Sequence, residues 1–461
     1  MSDLHELSAV AIGSMIATGE VSSLEATEHF LARIEAIDPQ VGAFTTVDAD
    51  GARKAAAEVG LGTGPLWGVP MAIKDLEPTA GLRTTMGSGA FLEFVPPIDS
   101  AIVTTMRAGG VVSLGKTTTP EFGLVCYSEP DGVAPARTPW DLTRSPSGSS
   151  GGAAAAVAGG LVPWAQGGDG GGSIRTPAST TGIVGLKPSR GRISSGKGGS
   201  DAIGFSANGP LTRTVADAAA ALDLMAGSIL GDTDWAPPQT FFDQCRPIEH
   251  RLRIARYTTP MTTIAADAEC VAAVDRATEV LTSLGHEVEE IACPFPDSMA
   301  EHFMTVWSST AAALPLPPAA EELLRPITRY FRSQGALTTG PQVVAALGAL
   351  REMARVALRL TAAFDVVMTP TLAQTPRLVG ELRNDADPEA EAAALMAFTP
   401  FTPPYNVSGQ PGISLPLHWD ESGLPNGVQF IGKPYAEITL LQLAAQLEQA
   451  APWIDHKPPV W

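Results

Sequence analysis

Charge is scarce in this 461-residue chain, and basic charge scarcer: charged residues make up 17%, with 30 Lys and Arg against 49 Asp and Glu. The net charge of −19 repels a phosphate backbone, so nucleic acid is not an expected partner unless a local basic patch overrides the global field. Cysteine is rarer still. Cys126, Cys245, Cys270 and Cys293 are widely separated and show no CxxC or Cys/His ligand spacing, which argues against a disulfide framework or a metal and for reduced, buried thiols. No stretch reaches the ~18 uninterrupted apolar residues of a spanning helix. Met1 to Gly19 carries Asp3 and Glu6 near its front rather than the basic and apolar regions of a secretory leader. A soluble, cytoplasmic protein away from membranes is the expectation. Histidine is also sparse: none of the seven belongs to a motif.

What the chain has is apolar residues, at 44%, and many glycines and prolines, at 46 and 39. That excludes disorder and predicts a sizeable core with many turns. Ser22 with Glu25 spells a capping box, and Leu24, Phe30, Leu31, Ile34 and Ile37 follow at helical spacing until Pro39 stops the run. Val69 to Ile73 reads as a buried strand ending in Lys74-Asp75. Between Ser145 and Arg192 small residues dominate, punctuated by Leu161, Val162, Trp164, Ile174 and Leu186 as core positions would be. From Val215 to Ala450, helical stretches alternate with short strands at 252–257, 286–291, 365–368 and 427–431. This rhythm predicts an α/β fold with a single large mixed, mostly parallel twisted sheet covered by helices on both faces.

Several glycine and serine patterns compete as chemistry. Gly148-Ser-Ser-Gly-Gly152 satisfies G-x-S-x-G around Ser150, but no hydrophobic strand drives into it as a nucleophile elbow requires. Gly191-Arg-Ile-Ser-Ser-Gly196-Lys197 approaches a phosphate loop, yet Gly198 replaces the residue that would hold magnesium. Gly167 to Gly172 lacks the order of a dinucleotide-binding turn, so no cofactor is expected. A serine nucleophile needs a base, which is a histidine or an uncharged lysine. With no histidine in a suitable context, Lys74 is the better candidate. Its place after an apolar strand lets it enter the interior, and lowering a lysine pKa from about 10.4 to about 7 takes roughly 4 to 5 kcal/mol of differential solvation. An exposed Lys74 paired with Asp75 is the competing reading.

Gly148-Ser149-Ser150-Gly-Gly, Gly167-Gly-Asp169-Gly170-Gly-Gly-Ser173-Ile-Arg175-Thr-Pro-Ala178 and Gly182-Ile-Val-Gly-Leu-Lys-Pro-Ser189 resemble the signature region of the amidase signature family of serine hydrolases. The separations, 75 residues from Lys74 to Ser149 and 24 from Ser149 to Ser173, agree with that family. Trp67 to Asp75, Leu114 to Phe122, Asn406 to Pro416 and Gly427 to Ile431 also look like family segments, so the likeness covers nearly the whole chain. Gly191-Arg-Ile-Ser194, Pro400-Phe-Thr-Pro-Pro-Tyr-Asn406 and Ala451-Pro-Trp453 make it look most similar to the bacterial branch that includes hydrolases of cyclic and linear 6-aminohexanoate oligomers. No membrane-binding N-terminal helix is visible, which weakens the resemblance to animal fatty acid amide hydrolase.

The resemblance implies Ser173 as nucleophile, Ser149 as bridging proton carrier after a cis Gly148–Ser149 peptide, and Lys74 as terminal base. It implies an oxyanion hole from the amides of Gly170, Gly171, Gly172 and Ser173, with Asp169 and Arg175 clamping the loop or, alternatively, Arg175 anchoring a substrate carboxylate. Gly168 and Gly170 depart from the common pattern by lacking side chains, which adds backbone freedom to the loop. The domain expectation is one amidase domain over 1–461, with a signature core at about 65–230 and a helix-rich cap at about 295–400. The expected partner is a small-molecule apolar or aryl amide, lactam or carbamate, motivated by Phe303, Trp307, Tyr330 and Phe331, with room for a homodimer. The alternatives are a catalytically inactive scaffold and a glutamine-hydrolysing amidotransferase subunit.

Overall fold

Ser22 and Glu25 cap the helix Ser23–Val41 reciprocally, as their spacing predicts. Pro39 does not stop that helix. Two residues from its end, a missing N–H removes little of the ladder. The computed structural model describes residues 3–196, 202–261 and 264–461; Met1, Ser2, Lys197 and Gly198 lie outside the described residues.

The strands are β1 Phe44–Val47, β2 Pro70–Lys74, β3 Val112–Thr117, β4 Trp164–Asp169, β5 Val184–Lys187 and β6 Ala207–Thr212 in the first half. The second half adds β7 Arg253–Arg256, β8 Glu287–Glu290, β9 Val366–Pro370, β10 Gly412–Trp419 and β11 Pro425–Gly432. They form one mixed sheet in the order β1-β3-β2-β4-β6-β5-β10-β11-β9-β7-β8. The expected parallel majority is corrected. Among the described residues six of the ten pairings are antiparallel, and the parallel ones lie on either side of an antiparallel centre. Part of the reason is the hairpin at Asp420–Gly423, where the Gly423 amide donates to the Asp420 carbonyl and β10 returns antiparallel as β11. No helix among the described residues is long and apolar enough to cross a membrane.

Small side chains decide the packing around the site. In the helix Gly151–Ala158 every residue is buried, because glycine and alanine let it lie close to the neighbouring strands on one side and other helices on the other. A large apolar core joins it to Met71, Leu114, Trp164 and Leu211. The helices Met299–Ala312 and Pro326–Leu337 contribute Phe303, Trp307 and Phe331 to two smaller apolar clusters near the loop after β4.

Candidate active site

β2 lies inside the sheet between β3 and β4, and all five of its residues are buried. Lys74 ends it at 2% exposure, with its backbone N–H donating to Gln166 Oε1 at 2.9 Å. Its Nζ donates to Ser149 Oγ at 2.7 Å and to the Gly168 carbonyl at 3.1 Å. Burial lowers the ammonium to about 7, against the opposing pull of Asp169 and Glu77. Near neutrality a large share of Lys74 therefore carries a free lone pair. The competing pairing with Asp75 does not form: Asp75 accepts from the Thr85 N–H and hydroxyl and faces the buried Lys116 at 3.8 Å.

Ser149 follows a cis Gly148–Ser149 peptide and precedes the buried Gly151–Ala158 helix. The two serine segments are tied together: Ser150 N–H donates to the Ser173 carbonyl at 3.1 Å, and the Thr176 hydroxyl to the Gly148 carbonyl at 2.7 Å. Lys74 and Ser149 are thus in contact, whereas no hydrogen bond joins the Ser149 and Ser173 hydroxyls among the described residues. Ser150, the centre of the G-x-S-x-G pattern, is occupied in bracing β4, donating to the Gly168 carbonyl and accepting from the Gly168 N–H.

The loop after β4 is held by a buried ion pair. Arg175 donates to both oxygens of Asp169 at 2.9 Å, to Gln429 Oε1 and Asn406 Oδ1 at 2.6 Å, and to the Thr402 carbonyl at 3.2 Å. Those five bonds use the guanidinium's full set of donors, and its side chain has no exposure, so in this geometry no donor is left for a substrate carboxylate. Burial alone would raise the Asp169 carboxyl; Arg175 overrides it and holds the group well below the usual carboxylate range. Asn406 completes the knot with its amide on the Asp169 carbonyl and Oδ1.

Asp169 also claims part of the expected oxyanion hole. Gly172 N–H donates to its Oδ1 at 2.7 Å and Ile174 N–H to its Oδ2 at 3.2 Å, so Gly172 is removed from the set of free donors. The amides of Gly170, Gly171 and Ser173 have no acceptor among the described residues. Gly172 has another duty: its φ is +128°, and a Cβ there would lie 2.1 Å from Thr402 Oγ1. Gly172→Ala is therefore expected to destabilise the fold by about 1–3 kcal/mol and to lower kcat on every substrate, as thermal melts and initial rates would register.

The looseness expected of Gly168 and Gly170 is offset by their surroundings. Gly168 belongs to β4 and pairs with Asn208. A Cβ at Gly170 would meet Ser206 Oγ at 3.1 Å and the Trp307 ring at 3.4 Å, so the indole takes up space that a side chain at 170 would need. Of the four aromatic residues that suggested an apolar site, Phe303, Trp307 and Phe331 line a cavity on Ser173; Tyr330 is not among its lining residues and packs beside Phe331. Cys126 lines that cavity too, and burial pushes its thiol up to about 12, which leaves it uncharged near neutrality. The four cysteines are free; only Cys270 is fully buried, and the other three are half-buried rather than buried as expected. The residues that sequence reasoning missed are Gln166, Thr402, Asn406 and Gln429. The last three stand 227 to 254 positions from Arg175, so no local spacing signals them.

The family model for amidases matches residues 25–441. A 6-aminohexanoate-cyclic-dimer hydrolase of Paenarthrobacter ureafaciens is 35% identical over 98% of this chain and 96% of its own. A glutamyl-tRNA(Gln) amidotransferase subunit from Prochlorococcus marinus is 36% identical over 95% of this chain and 96% of its own. The solved structure of 6-aminohexanoate cyclic dimer hydrolase complexed with substrate superposes with a TM-score of 0.90 at 32% identity, covering 99% of each chain.

Proposed function

The chain belongs to the amidase signature family and hydrolyses amides, and from that premise we propose that it does so through Ser173, Ser149 and Lys74 by way of an acyl-enzyme. The observation that carries this reading is the 2.7 Å contact between Ser149 and a buried Lys74 held near 7. Lys74 takes the Ser149 proton as Ser149 takes that of Ser173, and the Ser173 oxygen attacks the amide carbon. Run backwards, the relay protonates the leaving nitrogen, and water then resolves the ester. A hydrogen bond between the two serine hydroxyls is expected to form in the Michaelis complex, where catalytic contacts of this kind tighten. The amides of Gly170, Gly171 and Ser173 receive the oxyanion. The substrate class is an apolar or aryl amide, linear or lactam, or a carbamate, supported by the apolar cavity on Ser173. One domain over 1–461, with a core at about 65–230 and a cap at about 295–400, accompanies this reading.

Two measurements test it. A fluorophosphonate followed by peptide mass spectrometry should label Ser173, and no label there would leave an inactive scaffold. A panel of hexanamide, a nitroanilide, a cyclic dilactam, an aryl carbamate and glutamine should show turnover of the apolar members; hydrolysis of glutamine alone would replace this reading with the amidotransferase one.

A further inference from the structure

Two cavities meet at the 170–173 loop, and they differ in character. One, of about 60 Å³, opens on Ser173 and Gly171 and is walled by Phe303, Phe331, Leu395 and Met396. The other, of about 250 Å³, opens on Lys74, Ser149 and Gly170 and is mixed, with Glu77, Asp234 and Asn208 beside Ile102, Phe122 and Phe205. Gly123, Leu124 and Trp307 line both. Trp307 is held in place there: its indole N–H donates to the Leu124 carbonyl at 3.2 Å, and its ring stacks on Phe303 at 5.5 Å between centroids. The missing side chain at Gly170 leaves it room on the loop side.

We propose that Trp307 divides the substrate site into two chambers, with the acyl group of the amide in the apolar chamber on Ser173 and the leaving amine in the larger, mixed chamber on Ser149. The assignment rests on the Ser173–Ser149–Lys74 reading above and follows from its proton balance. Attack forms the Ser173 Oγ–C bond and sends the serine proton through Ser149 to Lys74. Breakage of the C–N bond requires that proton to return to the nitrogen. Ser149 and Lys74 face the larger cavity and do not line the smaller one, so the nitrogen must point into the larger. The acyl substituent diverges from the nitrogen at the same carbon, which turns it to the other side of the indole. The fitting substrate is then a short apolar acyl group joined to a bulkier amine.

The test holds one half of the substrate fixed at a time: p-nitroanilides with acyl chains from acetyl to decanoyl, and butanoyl amides of a series of amines. Met396→Ala should raise the octanoyl-to-butanoyl ratio of kcat/KM by about 10-fold or more and leave the ranking of amines as in wild type. Ala392→Leu, which narrows the same chamber, should move the acyl preference the other way and guards against one variant failing to fold. A shift in the amine series with no shift in the acyl series reverses the assignment. No shift in either series from both folded variants removes the division. Absence of both turnover and Ser173 labelling in wild type overturns the parent reading, and this assignment falls with it.

Discussion

Ser173→Ala is expected to lower kcat on every amide by a factor on the order of 10⁶, and Lys74→Ala by about 10²–10⁴, with the double variant no worse than Ser173→Ala alone. The difference follows from their roles. On the proposed mechanism no acyl-enzyme forms without Ser173, whereas without Lys74 the nucleophile remains and only its base is gone. Ser149 touches Lys74 directly, so Ser149→Ala should fall between these two. Initial rates on a nitroanilide with a folded-state check by circular dichroism measure all four. A Lys74→Ala enzyme that retains wild-type turnover would remove the lysine from the mechanism.

Asp169→Ala is the second large effect, and it is one of stability first. It leaves Arg175 buried without its charge partner, and breaking a buried pair by removing one member costs about 3–5 kcal/mol. It also strips acceptors from the Gly172 and Ile174 amides, so the loop proposed to carry the oxyanion donors should slacken and kcat should fall. Because every Arg175 donor is already engaged, Arg175 variants should lose activity on neutral and anionic amides alike; a loss confined to anionic ones would restore the anchor reading. The sign with pH follows from the depressed carboxyl of Asp169. The wild-type contribution is fully present above the ordinary value of 3.8 and is lost as pH falls towards the much lower folded value. Denaturant melts of wild type and Asp169→Ala should therefore differ most above that value and converge at strongly acidic pH.

Much of the site is readable from residues close in sequence. An apolar run ending in a lysine leaves a buried amine and an exposed Lys74–Asp75 pair both open, and the inner position of β2 decides for the first. The capping box at Ser22 is plain, since caps are local signals. β4 is not: Trp164-Ala-Gln-Gly-Gly-Asp169 has little intrinsic strand preference, and its conformation is imposed by pairing with β2 and β6. The sequence reading expects a helix-rich cap over about 295–400 but does not single out the helix Pro326–Leu337, although its proline at the first position is a start signal. Strand direction is misjudged because alternation of helices and strands reads as crossover connections, whereas β4, β6 and β5 pair antiparallel through their neighbours. The loss of Gly172 as an oxyanion donor depends on where the Asp169 carboxylate turns, which no spacing records.

The central claim is that Lys74 works as a neutral base. No histidine lines either cavity among the described residues, so an inflection near neutrality in the enzyme's rate does not fall to an imidazole there. Lys187 is also brought to about 7 by burial, but it lines neither cavity, and Lys187→Met should keep the inflection. The decisive measurement is the pH dependence of fluorophosphonate attack on Ser173 from pH 5 to 10. The rate constant should fall about tenfold per unit below pH 7, as the amine takes up a proton, and level off above it. A rate that is flat from pH 5 to 9, or that climbs only near the ordinary lysine value of 10.5, would contradict the account.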